Sequence, residues 1–403
     1  MVLVTLARNR HTLILAFACF VVMGMMNALL GVAWPSIRQT FGLPLDALVA
    51  LLAASTIGYA AGSLLTSRLM AWIGAGWTLL ISTSLGAAAL VGYVLAPSWW
   101  ALVAFGLLTG WANGTISTVL NVYVAATSTV RVMNWMHACF GIGSTIGPLL
   151  MTFIFGAGLS WRWGYAISAV TYVALGLLYF TVVRSMTFRG LGYMPGSDLT
   201  ERPVSMGETL RLPLVWLSIL LFLLYTGVET TTGQWAYTWF TESRAATAYA
   251  AGLMTSLFWA MLTIGRLVFG ASAARIGVER LLRLSMVGTV LATVLLLVRS
   301  LPVGFLAIGL MGLSLAAIFP TLTSDAPHRV GARHAANTIG LQAGAASIGL
   351  AVLPGFAGVL AQRVGLEALG PFLVLAALLL LGVNQLAATL IRRERAVVGS
   401  EAL

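Results

Sequence analysis

The chain has 403 residues, of which 60% are hydrophobic and only 8% charged, and its net charge of +11 rests on 22 basic residues, all of them arginine. A soluble domain carries about a quarter charged residues, so this composition excludes a soluble globular protein and requires a surface that faces lipid. The two cysteines, Cys19 and Cys139, form no CxxC or Cys/His cluster, which argues against a disulfide framework or a zinc site, and a chain without lysine has no Walker motif to drive a pump with ATP.

Apolar runs of about 20 residues, the length that crosses a bilayer, follow one another from end to end. In chain order they predict helices over 13–35, 45–67, 76–96, 98–125, 132–157, 163–183, 213–240, 246–270, 280–299, 302–324, 334–361 and 368–391. Lipid offers no partner to irregular backbone, so helices are expected. The runs lack the short alternating pattern of barrel strands. The first follows Arg8 and Arg10 as a signal peptide would, but it continues past Trp34 without a small-residue cleavage site and reads as a retained helix. The one long polar interval is 184–212, with Arg184, Arg189, Asp198, Glu201, Arg202, Pro203, Glu208 and Arg211. The expected architecture is an all-α membrane protein of twelve transmembrane helices. It divides into an N-terminal six-helix bundle (1–183), a cytoplasmic linker (184–212) and a C-terminal six-helix bundle (213–403).

An even number of spans puts both termini on one side. Of the 22 arginines, only Arg38, Arg162, Arg244, Arg299 and Arg363 fall on the opposite side. The positive-inside rule then makes the termini and the linker cytoplasmic, with a bacterial inner membrane as the setting. The excess charge has a topological cause, and no nucleic-acid partner is needed. The two halves also repeat. Gly62–Gly74 (GSLLTSRLMAWIG) matches Gly265–Gly277 (GRLVFGASAARIG) at an offset of 203, while GSTIG at Gly143 matches AASIG at Ala345, Leu120 matches Leu322 and Gly31 matches Gly233 at 202. Two similar bundles related by an axis along the membrane normal follow.

An ionisable residue at membrane depth is a functional hypothesis by default. Most acids flank spans, as Asp46, Glu242, Asp325 and Glu367 do; Glu229 lies 18 residues after Arg211 and 13 before Glu242. It sits in GVETTTGQW, where two glycines and three threonines predict a broken or kinked helix, the kind of place where transporters bind solutes and ions. Glu229 is the candidate proton-coupling group. Its repeat partner is Asn27, with Gly31 and Trp34 on the same face. Helix four carries Asn113, Ser117 and Asn121 at i, i+4 and i+8, a stripe that must point inward. His137 on helix five reads as a hydrogen-bonded residue near the cytoplasmic end, and His334 as a loop-end residue. Gln234 would face away from Glu229 on a straight helix and join it only at a break; Gln342 reads as cavity-lining. The candidate substrate-binding set is Asn27, Trp34, Asn121, Gln234, Trp235 and Gln342. Trp72, Trp99, Trp100, Trp161 and Trp163 fit an interfacial belt. No catalytic constellation, metal site or cofactor motif is present.

Several segments together resemble the fucose-permease-like branch of the major facilitator superfamily over nearly the full length. They are GVAWPSIRQTFGLPLDAL, LNVYV with MNWMHACFGIGSTIGPLL, GVETTTGQWAYTWF, FWAMLTIGRLVFG with ARIG, and IFPTLTSDAPHRVG with GLQAGAASIG. The loop signature between helices two and three keeps Arg68 and Gly74 but lacks its acid, while its second-half copy keeps Arg266, Gly270, Arg275 and Gly277. The resemblance implies alternating access with helices one, four, seven and ten lining a cavity, a neutral sugar or polyol as the small-molecule substrate, and proton symport. It departs at the acids that the fucose permease uses in helices one and four, where this chain has Asn27 and the asparagine stripe. A monomer in the lipid bilayer is expected, and not an enzyme. The rival expectations are an exporter of hydrophobic or cationic compounds with Glu229 as counter-charge, and a non-transporting receptor on the same scaffold.

Overall fold

The computed structural model describes residues 2–182 and 204–401, so 184–203 of the expected linker lie outside the described residues. Among the described residues the chain is helical, with no strand. The long helices are α1 (Val2–Phe41), α2 (Leu48–Ile73), α3 (Ala75–Leu95), α4 (Trp99–Thr127), α5 (Val130–Gly156), α6 (Arg162–Val182), α7 (Pro213–Ser243), α8 (Ala248–Ile276), α9 (Val278–Leu295), α10 (Leu301–Leu315), α11 (Ala332–Val364) and α12 (Leu369–Glu401). Among the described residues, eleven stretches are long and apolar enough to cross a membrane. The remaining expected span, 280–299, is α9, whose 18 residues include Glu279, Arg280 and Arg283 near its start. Those charges dilute its apolarity, yet at 1.5 Å per residue it still extends about 27 Å.

The chain forms two compact units. One comprises Met1–Ser197 with Ala246–Ala260, the other Asp198–Ala245 with Met261–Leu403. In the first, α1 packs on α5 and α2 on α4 through glycines that bring backbones together. A Cβ at Gly24 would strike the Phe140 carbonyl, and one at Gly143 the Val21 carbonyl; Gly58, Gly62, Gly110 and Gly114 do the same between α2 and α4. Lipid supplies no hydrophobic drive between helices, so close van der Waals approach of this kind holds them. In the second unit α7 packs on α11, where Gly349 lies against the Leu223 carbonyl and Thr226 donates to the Ala346 carbonyl at 3.0 Å.

Two expectations need correction. α7 is unbroken from Pro213 to Ser243, so the glycines at 227 and 233 make no kink. The interruption lies instead in the tenth span, where α10 ends at Leu315 and a short helix Ile318–Ser324 follows after a turn at Ala316–Ala317. Pro320 has no N–H to give the carbonyl four residues back, which is that of Ala316. Of the tryptophans assigned to an interfacial belt, Trp72, Trp100 and Trp163 are exposed, but Trp99 and Trp161 are buried, Trp99 against Trp34 and Trp161 against Tyr165.

Candidate functional site

In the first unit the α4 stripe is fully engaged. The Asn113 carboxamide oxygen accepts from the Tyr172 hydroxyl of α6 at 2.5 Å, and its nitrogen lies 3.7 Å from the Met26 sulfur of α1. The Ser117 hydroxyl accepts from Tyr59 of α2 at 3.3 Å. Asn121 donates to the Ser117 carbonyl at 2.8 Å, and its oxygen is 3.1 Å from His137 Nε2 on α5. Phe20 meets the His137 ring edge-on at 5.3 Å. The result is a polar track, Tyr59–Ser117–Asn121–His137, across three helices. His137 is hydrogen-bonded as expected, but its link to Asn121 puts it on the candidate site. Asn27 is exposed on α1, one residue from Met26. Trp34 has no exposed surface and packs on Trp99 at 5.7 Å, so it is core rather than a solute platform.

In the second unit the carboxylate has company. Glu229, 16 residues into the 31-residue α7, is the one acid at mid-helix among the described residues with placed side chains. Tyr225, one turn earlier, donates its hydroxyl to Glu229 Oε2. Arg266 Nη2 of α8 lies 3.6 Å from the same oxygen, with the Glu229 side chain 14% exposed and that of Arg266 31%. Arg266 was expected at a span end on the cytoplasmic side; ten residues before the end of its helix it lies about 15 Å inward along the axis. A lone carboxylate or guanidinium at such depth costs several kcal/mol, and each offsets much of the other's cost.

The cluster extends to the interrupted tenth span. Phe319 lies 6.0 Å from the Tyr225 ring and 5.1 Å from Phe222. A Cβ on Gly265, next to Arg266, would lie 3.1 Å from the Leu313 carbonyl and 2.5 Å from the Ala316 Cβ. Arg266, Glu229 and Tyr225 therefore sit where α7, α8 and the break at Ala316–Ala317 meet.

The other second-unit candidates do not join this cluster. Five residues on an unbroken helix separate Gln234 from Glu229 by about 140° around the axis, so the expected gathering of the two does not occur. Gln234 is buried, with Oε1 lacking a partner. Trp235 is buried and donates from Nε1 to the Pro354 carbonyl at 2.9 Å, which fixes it to α11 rather than freeing its face. Gln342 donates to Ser218 Oγ at 2.6 Å, and its own oxygen is unpartnered. The reading from sequence missed Tyr225 and Arg266. Tyr225 was accessible as the i−4 neighbour of the buried acid; Arg266 stood only four residues inside the end of its predicted run and read as a span-end cation.

A sequence profile described as Major Facilitator Superfamily matches residues 16–343 and 217–402. Among curated proteins, the chain is 24% identical over 380 residues to Bypass of stop codon protein 6 of Saccharomyces cerevisiae, covering 86% of this chain and 76% of that protein. It is 21% identical over 316 residues to the glucose/mannose transporter GlcP of Bacillus subtilis, covering 77% and 78%. Among solved structures it is similar to a D-xylose–proton symporter (TM-score 0.76, 16% identity, 92% of this chain and 97% of that one). A mutant of the nucleoside transporter NupG gives a TM-score of 0.75 at 16% identity over 96% and 99%.

Proposed function

The chain belongs to the major facilitator superfamily of transporters, and from that premise we propose that it moves a small neutral polyhydroxylated solute by alternating access, with Glu229 carrying the coupled proton. The observation that carries this reading is the Tyr225–Glu229–Arg266 cluster, where a carboxylate and a guanidinium meet at 3.6 Å with both side chains partly exposed. A deprotonated Glu229 makes the pair neutral. Protonation removes the partner of Arg266, whose donors then need acceptors, and solute hydroxyls provide them. The two states differ by one proton and by their need for solute, which is what coupling requires.

The pair also weighs on substrate class. A carboxylate already matched by a guanidinium is no free counter-charge, so the cation-export reading loses its main support. Within the first unit, the Tyr59–Ser117–Asn121–His137 track consists of groups that can exchange their mutual hydrogen bonds for solute hydroxyls, and Asn121 stays a candidate there. Relatives named for glucose, mannose and D-xylose point the same way. Arg266 favours one second reading, a solute bearing a single carboxylate that replaces the protonated Glu229 on the guanidinium. The setting we propose is a bacterial inner membrane, with the protein a monomer and both termini cytoplasmic.

The test is uptake into proteoliposomes under an imposed pH gradient, with sugars, polyols and monocarboxylates as probes. Glu229→Gln is expected to lose gradient-driven accumulation yet retain solute counterflow. Unchanged accumulation would rule out Glu229 as carrier. Accumulation of monocarboxylates alone would select the second reading, and binding without counterflow would replace transport by a receptor role.

A further inference from the structure

The second unit holds a cavity of about 380 Å³ between the start of α9, residues 388–392 of α12 and the segment 324–329 that follows the tenth span; Glu229 is not among its lining residues. Its lining sets two carboxylates, Glu279 and Asp325, against two guanidiniums, Arg329 and Arg392, and Arg283 beside it brings a third guanidinium to Glu279. Glu279 Oε1 accepts from Arg283 at 3.1 Å and from Arg392 at 2.9 Å, so two guanidiniums share one carboxylate. On the other wall Arg329 donates to Asp325 at 2.8 Å, and His328 lies 3.8 Å from the same carboxylate. Counted with Arg283, the cluster holds three guanidiniums against two carboxylates, a surplus of one positive charge among its arginines and acids. Arg392 and His328 are largely exposed, so both can turn toward a ligand.

We propose that this cavity binds the phosphodiester headgroup of an anionic phospholipid from the cytoplasmic leaflet. One phosphodiester carries one negative charge, which matches the surplus, and its oxygens suit a guanidinium fork. The remaining lining supplies what a lipid has and free phosphate lacks. Val278, Ala388 and Ile391 form an apolar floor. From there Leu284, Val287 and Leu291, spaced i, i+3 and i+7 on α9, run outward as an exposed apolar stripe on which an acyl chain can lie. Basic pockets between helices on the cytoplasmic side are recognised lipid sites. The proposal rests on the helices spanning a membrane with their arginine-rich ends inside, and not on the transport reading.

The experiment uses the full chain, delipidated in detergent, with thermal unfolding and native mass spectrometry as readouts. Phosphatidylglycerol, phosphatidylcholine and inorganic phosphate are added in separate arms. Phosphatidylglycerol is expected to stabilise the chain and stay bound, because mass action favours the liganded fold. Arg392→Gln should weaken that response about tenfold. Glu279→Gln should tighten it, since two arginines lose their shared partner and turn to the lipid. His328→Gln, at a largely exposed position, checks the site in a variant expected to fold normally and should weaken binding by a smaller factor. An equal shift with phosphatidylcholine, a shift reproduced by inorganic phosphate alone, or weaker binding by Glu279→Gln would overturn the proposal.

Discussion

The two units meet the same demand at equivalent ends with donor and acceptor roles exchanged. In the first, Arg162 at the start of α6 donates to the carbonyls of Val94 at 2.9 Å and Ala96 at 3.1 Å, at the C-terminal end of α3, and lies over Trp161. The repeat offset of 202 maps those residues onto Leu296 and Val298, whose carbonyls also accept from one arginine, at 2.6 and 3.2 Å. That arginine is Arg244, at the end of α7, the counterpart of α1 rather than of α6. The turn that leads into α12, the counterpart of α6, contributes an acid instead, Glu367, 2.9 Å from Arg244. Deeper in the units the exchange recurs. Ser144 donates to the Gly24 carbonyl at 3.3 Å, while at the equivalent positions Thr226 donates to the Ala346 carbonyl at 3.0 Å. The duplicated fold thus preserves which backbones approach and which carbonyls must be satisfied. It leaves open which strand of the contact supplies the donor, because either serves the same accounting.

The largest effect should come from the arginines. Arg244 is 5% exposed, sits over both Trp239 and Phe240 and holds a carboxylate as well as two carbonyls. Arg244→Ala should cost about 3 kcal/mol, since it leaves a partly buried acid and two carbonyls without their main partner. Arg162→Ala removes two neutral acceptors' bonds and should cost about 1–2 kcal/mol. Reversible unfolding in detergent gives both values. Equal losses would mean that Glu367 adds nothing and that the two clasps are energetically the same.

Next comes the glycine that marks the other end of the comparison. Gly24→Ala places a methyl on the Phe140 carbonyl, and α1 and α5 have to separate along a seam where Gly143 and Gly147 also allow no space. An overpacking cost of about 2 kcal/mol is expected, read as a lower unfolding midpoint. The second unit accommodates a threonine at the equivalent position 226, so a tolerated Gly24→Ala would show that the first seam has the same slack.

How far these features could be read from sequence depends on what each residue type reveals by itself. Spans and halves follow from apolar runs and from spaced glycines, because both are imposed by lipid and by backbone contact. Glu229 stood out because a carboxylate far from any run end has few innocent explanations. Arg266 did not, because a long side chain in the last third of a helix reads as one reaching for the interface; only tertiary structure shows it turned to α7. The break was misplaced for a physical reason. Glycines and threonines in α7 suggested weak helix, yet in lipid every peptide group keeps its intrahelical bond. Thr232 spends its hydroxyl on the carbonyl of Val228, one turn back. Pro320 was the stronger signal, since a missing N–H cannot be supplied by packing. Trp34 and Trp235 show the limit for aromatics: a ring that stacks on a solute and one that fills a core have the same sequence.

The smallest effect tests the exchange itself. Thr226→Ala removes one hydroxyl bond between α7 and α11, and such bonds in membranes contribute about 0.6 kcal/mol on average. By the repeat, the backbone carbonyl of residue 226 is expected to face position 346, as the Gly24 carbonyl faces Ser144 in the first unit. Adding Ala346→Ser to Thr226→Ala therefore places the donor on the opposite helix, as the first unit has it. The double variant should recover most of the loss, with a coupling between the two changes of about 0.5 kcal/mol. The cycle is measured by detergent unfolding of the four proteins. If Ala346→Ser is equally neutral with and without Thr226→Ala, the hydroxyl at 346 finds no acceptor. The two seams would then share close approach but not an interchangeable bond.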